Sequence, residues 1–271
     1  MTKLGGRAIT WSILLVYSLY VILPVSWMVL SSLKTTRELF SNPFGMPAEP
    51  QWSNFSQAWQ KGLADFVVNS IFVTTTSVIL IVLISGLAAY ALARLQFTGR
   101  TWIYALLIAG YAIPIHIILV PLYQILNNLG WLNSYHGLIG PYVAMGIPFS
   151  VLVLYAFFLE FPKDVEDAAQ LDGCSLWQML WHVVLPLSRT GLASVAIFQT
   201  VFVWNEFLLA LIIIRDDGLK TITLGLTTFQ GQWATNWPLM LAALTMASLP
   251  LLVVYLMLQR QFINSLAGLS R

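Results

Sequence analysis

The chain has 271 residues, of which 58% are hydrophobic and 9% are charged. A water-facing globule needs about a quarter of its residues charged, so a soluble domain is excluded and a chain with lipid around its perimeter is implied. The formal net charge of +2 is uninformative about nucleic acid, and no basic stripe marks a nucleic-acid surface. One cysteine, Cys174, rules out an intrachain disulfide and a Cys-based zinc site. The histidines His116, His136 and His182 fall in separate segments and give no metal cluster.

In chain order, six apolar stretches are long enough to cross roughly 30 Å of hydrocarbon at about 1.5 Å per residue. They cover residues 9–30, 66–92, 102–126, 137–159, 191–214 and 239–258. Backbone groups in lipid must pair internally, so each is expected to be a helix, and the chain is read as an all-α integral membrane protein. The first stretch is too long for a signal-peptide core and lacks a small-x-small cleavage site, which predicts a retained span. Pro24, Pro114, Pro121, Pro148 and Pro250 lie inside these stretches and predict kinks. The whole chain, 1–271, reads as one transmembrane domain without internal repeats.

Lys and Arg favour an N-terminus on the inner side. Lys3, Arg7, Arg94, Arg100, Lys163, Arg189, Arg260 and Arg271 then flank the inner face, against Lys34, Arg37, Lys61, Arg215 and Lys220 outside. Trp52, Trp59, Trp131, Trp233 and Trp237 sit near the outer boundaries, as interfacial anchors do. The outer segment 35–65 carries Phe40, Phe44, Trp52, Phe55 and Trp59. It is too apolar for a disordered linker and is expected to be ordered.

Residues 161–188, on the inner side in this orientation, form the polar segment with the clearest local design. Asp164 is positioned to cap a short helix with Asp167 in its first turn. Gly173 suits a left-handed C-cap. Ser175 and Gln178 have capping-box spacing for a second helix, whose apolar face is Leu176, Met179, Leu180 and Val183 and which must end near Pro186. The segment therefore reads as helix, turn, helix. Ala168 and Ala169 keep the first helix smooth enough for another protein to approach closely.

Asp167-Ala168-Ala169, three residues, Gly173, nine residues and Val183-Val184-Leu185-Pro186 together resemble the EAA signature of ATP-binding-cassette importer permeases, with Asp167 for Glu and Val183 for Ile. The resemblance extends to the carbohydrate-uptake, maltose-permease G-type subfamily. Ser31-Ser32-Leu33-Lys34 is similar to its SLK element, and Tyr90-Ala91-Leu92-Ala93-Arg94 with Phe97-Thr98-Gly99-Arg100 to its second inner loop. Pro121-Leu122-Tyr123 with Gly130-Trp131-Leu132-Asn133-Ser134-Tyr135, Trp204-Asn205-Glu206-Phe207 and Gln259-Arg260 resemble further elements, so the similarity covers nearly the whole chain.

The resemblance implies a permease subunit of the plasma (inner) membrane of a bacterium or archaeon, with a cytoplasmic N-terminus and a cytoplasmic coupling loop. It implies a second homologous permease, two ATPase subunits that bind ATP and Mg, and an extracytoplasmic solute-binding protein. It also implies inward transport of a sugar or related neutral solute. Glu166, Asp167, Ala168, Ala169, Asp172, Gly173, Leu185 and Pro186 would couple to the ATPase. The sequence agrees independently on one point. It has no Gly-x-x-x-x-Gly-Lys-Ser/Thr phosphate loop, so the chain is expected not to be an enzyme and to need no cofactor of its own.

Other residues keep two readings. Glu206 is the one acidic residue deep in a span, and it either lines the solute path with Trp204 and Asn205 or makes a helix-packing hydrogen bond. His116 beside Pro114 is a pathway or a structural histidine. Tyr123, with Tyr111 and Tyr155, is a sugar-stacking or a packing aromatic. A membrane-embedded enzyme would need a cluster of ionisable groups at membrane depth, which is missing. A gradient-driven secondary transporter often shows internal repeats, which are missing too.

Overall fold

The structure is a computed structural model that describes residues 2–160, 162–231 and 235–268. Phe161, the expected interfacial anchor Trp233 and Arg271 lie outside these described residues. Helix α1 runs Thr2–Ser32, α2 Thr36–Ser41 and α3 Ser53–Ala58; a π-helical turn, Trp59–Leu63, leads into α4, Ala64–Arg94. Next come α5 (Arg100–Tyr111), α6 (Ile115–Asn128), α7 (Tyr135–Glu160), α8 (Lys163–Leu171) and α9 (Leu176–Met179). A π-helical turn (Leu180–Val184) joins α9 to α10 (Leu185–Leu187), followed by α11 (Arg189–Asn205), α12 (Leu208–Ile213), α13 (Ile222–Gly225) and α14 (Trp237–Gly268). Short 3-10 turns occupy Asp217–Leu219 and Leu226–Phe229, and no strand occurs among the described residues. The chain is all-α.

Four helical runs are long and apolar enough to cross a membrane: Thr10–Ser32, Ser53–Arg94, Tyr135–Glu160 and Trp237–Met257. They contain or match the expected spans 9–30, 66–92, 137–159 and 239–258. Two bent helix pairs, Arg100–Tyr111 with Ile115–Asn128 and Leu176–Leu187 with Arg189–Asn205, raise the number to six among the described residues if each pair is one span; the second pair, bent by 72°, begins in the 161–188 loop and stops short of the expected end at 214.

Both remaining spans differ from the single helices expected. Residues 102–126 are two helices, α5 and α6, bent by 102° at Ala112-Ile113-Pro114. The cause is Pro114, which disfavours helical backbone at Ile113 and itself adopts an extended conformation, with φ −64° and ψ 134°. The break leaves few orphans. Ala112 N–H reaches the Ile108 and Ala109 carbonyls at 3.2 Å, and Pro114 has no N–H to satisfy. Residues 191–214 are also interrupted. Helix α11 stops at Asn205, Glu206 is extended (φ −67°, ψ 131°), and α12 restarts at Leu208.

The chain falls into two compact units, Met1–Asp65 with Gly225–Pro250, and Phe66–Leu224 with Leu251–Arg271. In the first, α1 is exposed from Thr10 to Val25, whereas the segment after it is tightly tied. Lys34 is 1% exposed. Its ammonium donates to the carbonyl oxygens of Asn42 at 2.8 Å and Pro43 at 3.1 Å. Trp27 Nε1 donates to the same Pro43 oxygen at 2.9 Å. Asn54 donates to the carbonyls of Ser32 (2.8 Å) and Lys34 (3.1 Å), and Glu38 Oε1 accepts from Ala48 N–H at 2.7 Å. These bonds tie down residues 35–54, the first part of the 35–65 segment that is expected to be ordered from its apolar content.

The second unit has two apolar clusters. One gathers Tyr90, Leu154, Phe158, Met179 and Val184, and the other Val73, Leu138, Tyr142, Leu209 and Ile213. Helices α7 and α11 approach closely at Gly191, where an added Cβ would meet the Phe157 ring at 2.9 Å. A small residue at such a crossing is what helix packing in lipid favours.

The Lys34 clamp gives the first prediction. Hydrogen bonds from a charged donor are worth about 1.5–3 kcal/mol each, so Lys34→Met should destabilise this tied-down stretch by about that much or more. Limited trypsin digestion checks it. Cleavage after exposed Arg37 should be faster in the variant at equal membrane insertion, and unchanged cleavage would contradict the clamp.

Candidate functional site

The loop after α7 is built from local rules. Helix α8 begins at Lys163 with Pro162 in the capping position and no side-chain cap. The expectation that Asp164 caps this helix is therefore corrected. The helix starts one residue before Asp164, which lies with Glu166 inside the first turn, where the helix dipole still favours a carboxylate. Asp167, expected in that first turn, is the residue just after it.

The C-terminal end has the expected left-handed glycine. Gly173 has φ +80°, its N–H reaches the Gln170 carbonyl at 3.0 Å, and Cys174 N–H reaches the Ala169 carbonyl at 3.0 Å. This crossed pair of bonds is the Schellman closure, which a residue without Cβ adopts at little cost. Ser175 and Gln178 then form the capping box: Gln178 N–H donates to Ser175 Oγ (3.4 Å), and Ser175 N–H donates to Gln178 Oε1 (2.8 Å). The second helix continues through the π turn, where Leu185 N–H bonds the Leu180 carbonyl, and ends at Leu187. The wider turn relieves the pressure that Pro186 would place on the carbonyl four residues back.

Burial divides the loop into two faces. Glu166 and Ala169 are buried, whereas Asp167, Ala168, Asp172 and Gly173 are exposed. Met179, Leu180 and Val184 are buried and Val183 half-buried, but Leu176 is 47% exposed and lies off the apolar face to which its spacing assigned it. Leu185 is half-buried and Pro186 exposed. Leu171 is 90% exposed beside the Gly173 turn, an unusual position for a large apolar residue. An added Cβ at Gly173 would meet nothing within 4 Å. The turn thus projects freely, with apolar and acidic groups around it.

The inward face carries a buried ion pair. Arg94 Nε, at the end of α4, donates to Glu166 Oε1 at 2.7 Å, with both side chains under one-tenth exposed. Tyr90 OH donates to Glu166 Oε2 and approaches Met179 Sδ, each at 3.4 Å. The Tyr90 ring meets Phe158 of α7 edge-on at 5.7 Å. Arg94 and Glu166 are 72 residues apart in sequence, so only their residue types were visible beforehand.

The second group of candidate residues lies at the two span breaks. His116, Asn205 and Glu206 line one cavity of about 580 Å³, together with Ile115, Phe198 and Phe202. A second cavity of about 550 Å³ shares those three apolar residues and adds Tyr111, Phe149 and Gln199. Phe149 stacks on Phe198 at 4.4 Å, and Tyr111 lies 5.7 Å from Phe149, so three rings run in series. Trp204 is buried at 6% exposure and lines neither cavity. Tyr123 also lines neither; its hydroxyl accepts from the Arg215 guanidinium at 2.9 Å. Gln199 was missed by the sequence reading. It is 2% exposed, donates to the Gly146 carbonyl and Ser150 Oγ, and leaves Oε1 without a partner. A lone amide in the middle of an apolar span was the available signal.

Glu206 has a definite structural task. One carboxylate oxygen accepts from Leu209 N–H at 2.9 Å; the other accepts from Tyr142 OH at 2.7 Å and Ala210 N–H at 3.3 Å. Its own carbonyl accepts from Thr223 Oγ1 at 2.6 Å. The side chain therefore bonds the first turn of α12 and makes a helix-packing hydrogen bond to Tyr142, while one edge borders the cavity. Glu206→Gln retains an acceptor and should lower stability by about 1 kcal/mol. Glu206→Leu strands the donors of Leu209, Ala210 and Tyr142, at about 1–3 kcal/mol for each buried one. Thermal unfolding of the detergent-purified protein should rank parent, Gln, Leu in falling Tm. Equal Tm for Gln and Leu would contradict the cap.

Comparison with known proteins agrees with this architecture. Residues 81–267 match the family described as "Binding-protein-dependent transport system inner membrane component". The chain is 39% identical to the sulfoquinovosyl glycerol transport system permease protein SmoH of Agrobacterium fabrum, over 97% of this chain and 92% of that one. It is 36% identical to the diacetylchitobiose uptake system permease protein NgcG of Streptomyces coelicolor, over 96% of this chain and 87% of that one. Its fold matches a chain in the crystal structure of a bacterial ABC transporter involved in the import of the acidic polysaccharide alginate. There the TM-score is 0.80 and the identity 19%, covering 93% and 94% of the two chains. The chain belongs to the binding-protein-dependent transport system inner membrane components: it is a multi-pass membrane protein and the permease subunit of an ABC importer.

Proposed function

We propose that this permease moves a sugar or sugar derivative inward and is driven by ATPase subunits that grip the 161–188 loop. The projecting Gly173 turn carries the reading, with its free space, exposed Leu171 and acidic flank of Asp167 and Asp172. In this scheme the chain pairs with a second, homologous permease, two ATPases bind ATP and Mg, and a solute-binding protein docks on the other side. The N-terminus and the loop then lie in the cytoplasm, and the chain sits in the plasma (inner) membrane. The 35–65 segment is assigned to contact with the binding protein or the partner permease. The chain itself uses no cofactor.

The carbohydrate assignment has two supports. Relatives named for sugar uptake align over nearly the full chain. The paired cavities supply flat aromatic rings for the apolar faces of a sugar and a few polar groups for its hydroxyls, the composition expected of a small-molecule site. The carboxylate of Glu206 is already bonded, and no Lys or Arg lines either cavity, which favours a neutral solute. His116 and Asn205 are the assigned hydrogen-bonding groups, with Glu206 at the border. Trp204 and Tyr123 act as supports for packing.

Two experiments test the scheme. Gly173→Asp adds charge at the turn without a clash, since Asp tolerates a left-handed backbone better than most residues. It should insert normally but lose the ATPase in a pull-down, because an unpaired charge at a closed contact costs several kcal/mol. Full ATPase recovery with normal solute-stimulated hydrolysis would remove the docking assignment. For the cavity, Asn205→Ala and His116→Ala should each raise the apparent KM for transport into vesicles by about 2–10-fold, the value of one neutral hydrogen bond. Solute affinity of the isolated binding protein serves as the control, and unchanged KM in both variants would remove the solute site.

A further inference from the structure

A loop that docks on the outside moves the membrane helices only if its other face holds them. Helix α8 has such a face. Glu166 and Ala169, three residues apart, point inward, whereas Asp167, Ala168 and Leu171 point out. Both oxygens of Glu166 are engaged, Oε1 by Arg94 at 2.7 Å and Oε2 by Tyr90 at 3.4 Å. Arg94 and Tyr90 are four residues apart on the last turns of α4, so they present one side of that helix to the loop. Tyr90 reaches further, to Met179 in the second helix of the loop and to Phe158 in α7.

Apolar packing alone lets helices slide past one another, because the contacts are individually weak and non-directional. A buried, charge-assisted hydrogen bond resists that slide, since displacing either partner leaves a desolvated charge. We propose that the Arg94–Glu166 pair, steadied by Tyr90, is the grip through which displacement of the coupling loop moves α4. Glu166 is thus a positioning residue on the inward face and takes no part in the docking contact itself. The resemblance places Glu166 among the ATPase-coupling residues, and its burial gives it the inward side of that coupling. The inference rests on the docking assignment for the Gly173 turn.

The test uses the complete transporter, with partner permease, ATPases and binding protein, reconstituted in vesicles. Glu166→Gln keeps the shape and one acceptor but removes the charge. The decisive readout is solute moved per ATP hydrolysed. A variant that is merely less folded lowers both rates together and leaves this ratio unchanged. The ratio should fall about tenfold in Glu166→Gln, within the range of ordinary coupling between sites, while the ATPase still co-purifies. An unchanged ratio would overturn the grip. Loss of the ATPase from the complex would overturn it too, by returning Glu166 to the docking contact. If Glu166→Gln does not insert, Arg94→Gln decides, because it breaks the same ion pair from the α4 side; a lower ratio supports the grip and an equal one removes it. Gly173→Asp run in parallel separates the two assignments. ATPase retained by Gly173→Asp would remove docking, whereas ATPase lost there with an unchanged ratio in Glu166→Gln would remove the grip alone.

Discussion

Backbone amides and carbonyls in hydrocarbon have no water to turn to, and this constraint governs where the chain bends. Each interruption of an apolar helix exposes polar backbone groups that need an internal partner. At 112–114 the break falls on a proline, which has no N–H to strand, and the residues before it close with tighter turns. At 206–207 the break falls on a glutamate, whose carboxylate takes the N–H groups of Leu209 and Ala210 while Tyr142 holds its second oxygen. A carboxylate at such a depth is expensive, so it is found where it replaces missing backbone bonds. Residues beside the first break, Ile113 and Ile115, line the cavity of about 550 Å³, and Ile115 and His116 meet the second break at Glu206 and Phe207 around the cavity of about 580 Å³. Irregular backbone and usable space therefore arise from one cause.

The loop between α7 and α11 obeys the same rule in a more polar setting. The Gly173 closure and the Ser175–Gln178 box satisfy its helix ends from within, so its shape does not depend on the spans. Its attachment does depend on them. The Met179, Leu180 and Val184 side chains join the cluster around Tyr90 and Phe158, and the Arg94–Glu166 pair adds a directional bond at its edge. An internally rigid piece held along one face and free along the other is suited to receive a push and pass it on.

The sequence made local features legible and left long-range ones hidden. The six apolar stretches, the left-handed Gly173 and the capping box follow from composition and spacing within a few residues. The start of α8 lies two residues earlier than the Asp164 cap implies, because Pro162 also suits the position just before a helix and competes with Asp164 for the cap. The breaks at Pro114 and Glu206 were read as a kink and an uninterrupted span. Proline alone does not set the size of a bend, and two of the partners that hold Glu206, Tyr142 and Thr223, lie 64 and 17 residues away. Lys34 was visible as part of a motif, but its burial against the Asn42 and Pro43 carbonyls was not. Cavity lining was partly legible: His116, Asn205 and Glu206 come together, whereas Trp204 and Tyr123 turn to packing and to Arg215.

The central claim is that the free edge of the coupling loop meets an ATPase. The most direct measurement places a photo-activated cross-linking amino acid at Leu171, the most exposed apolar side chain of that edge, in the assembled transporter in its native membrane. The expected result is a cross-link to the ATP-binding subunit that forms from the cytoplasmic side and is absent when the probe stands at exposed Trp102 of α5. A cross-link only to lipid or to the solute-binding protein, with none to the ATPase, would contradict it.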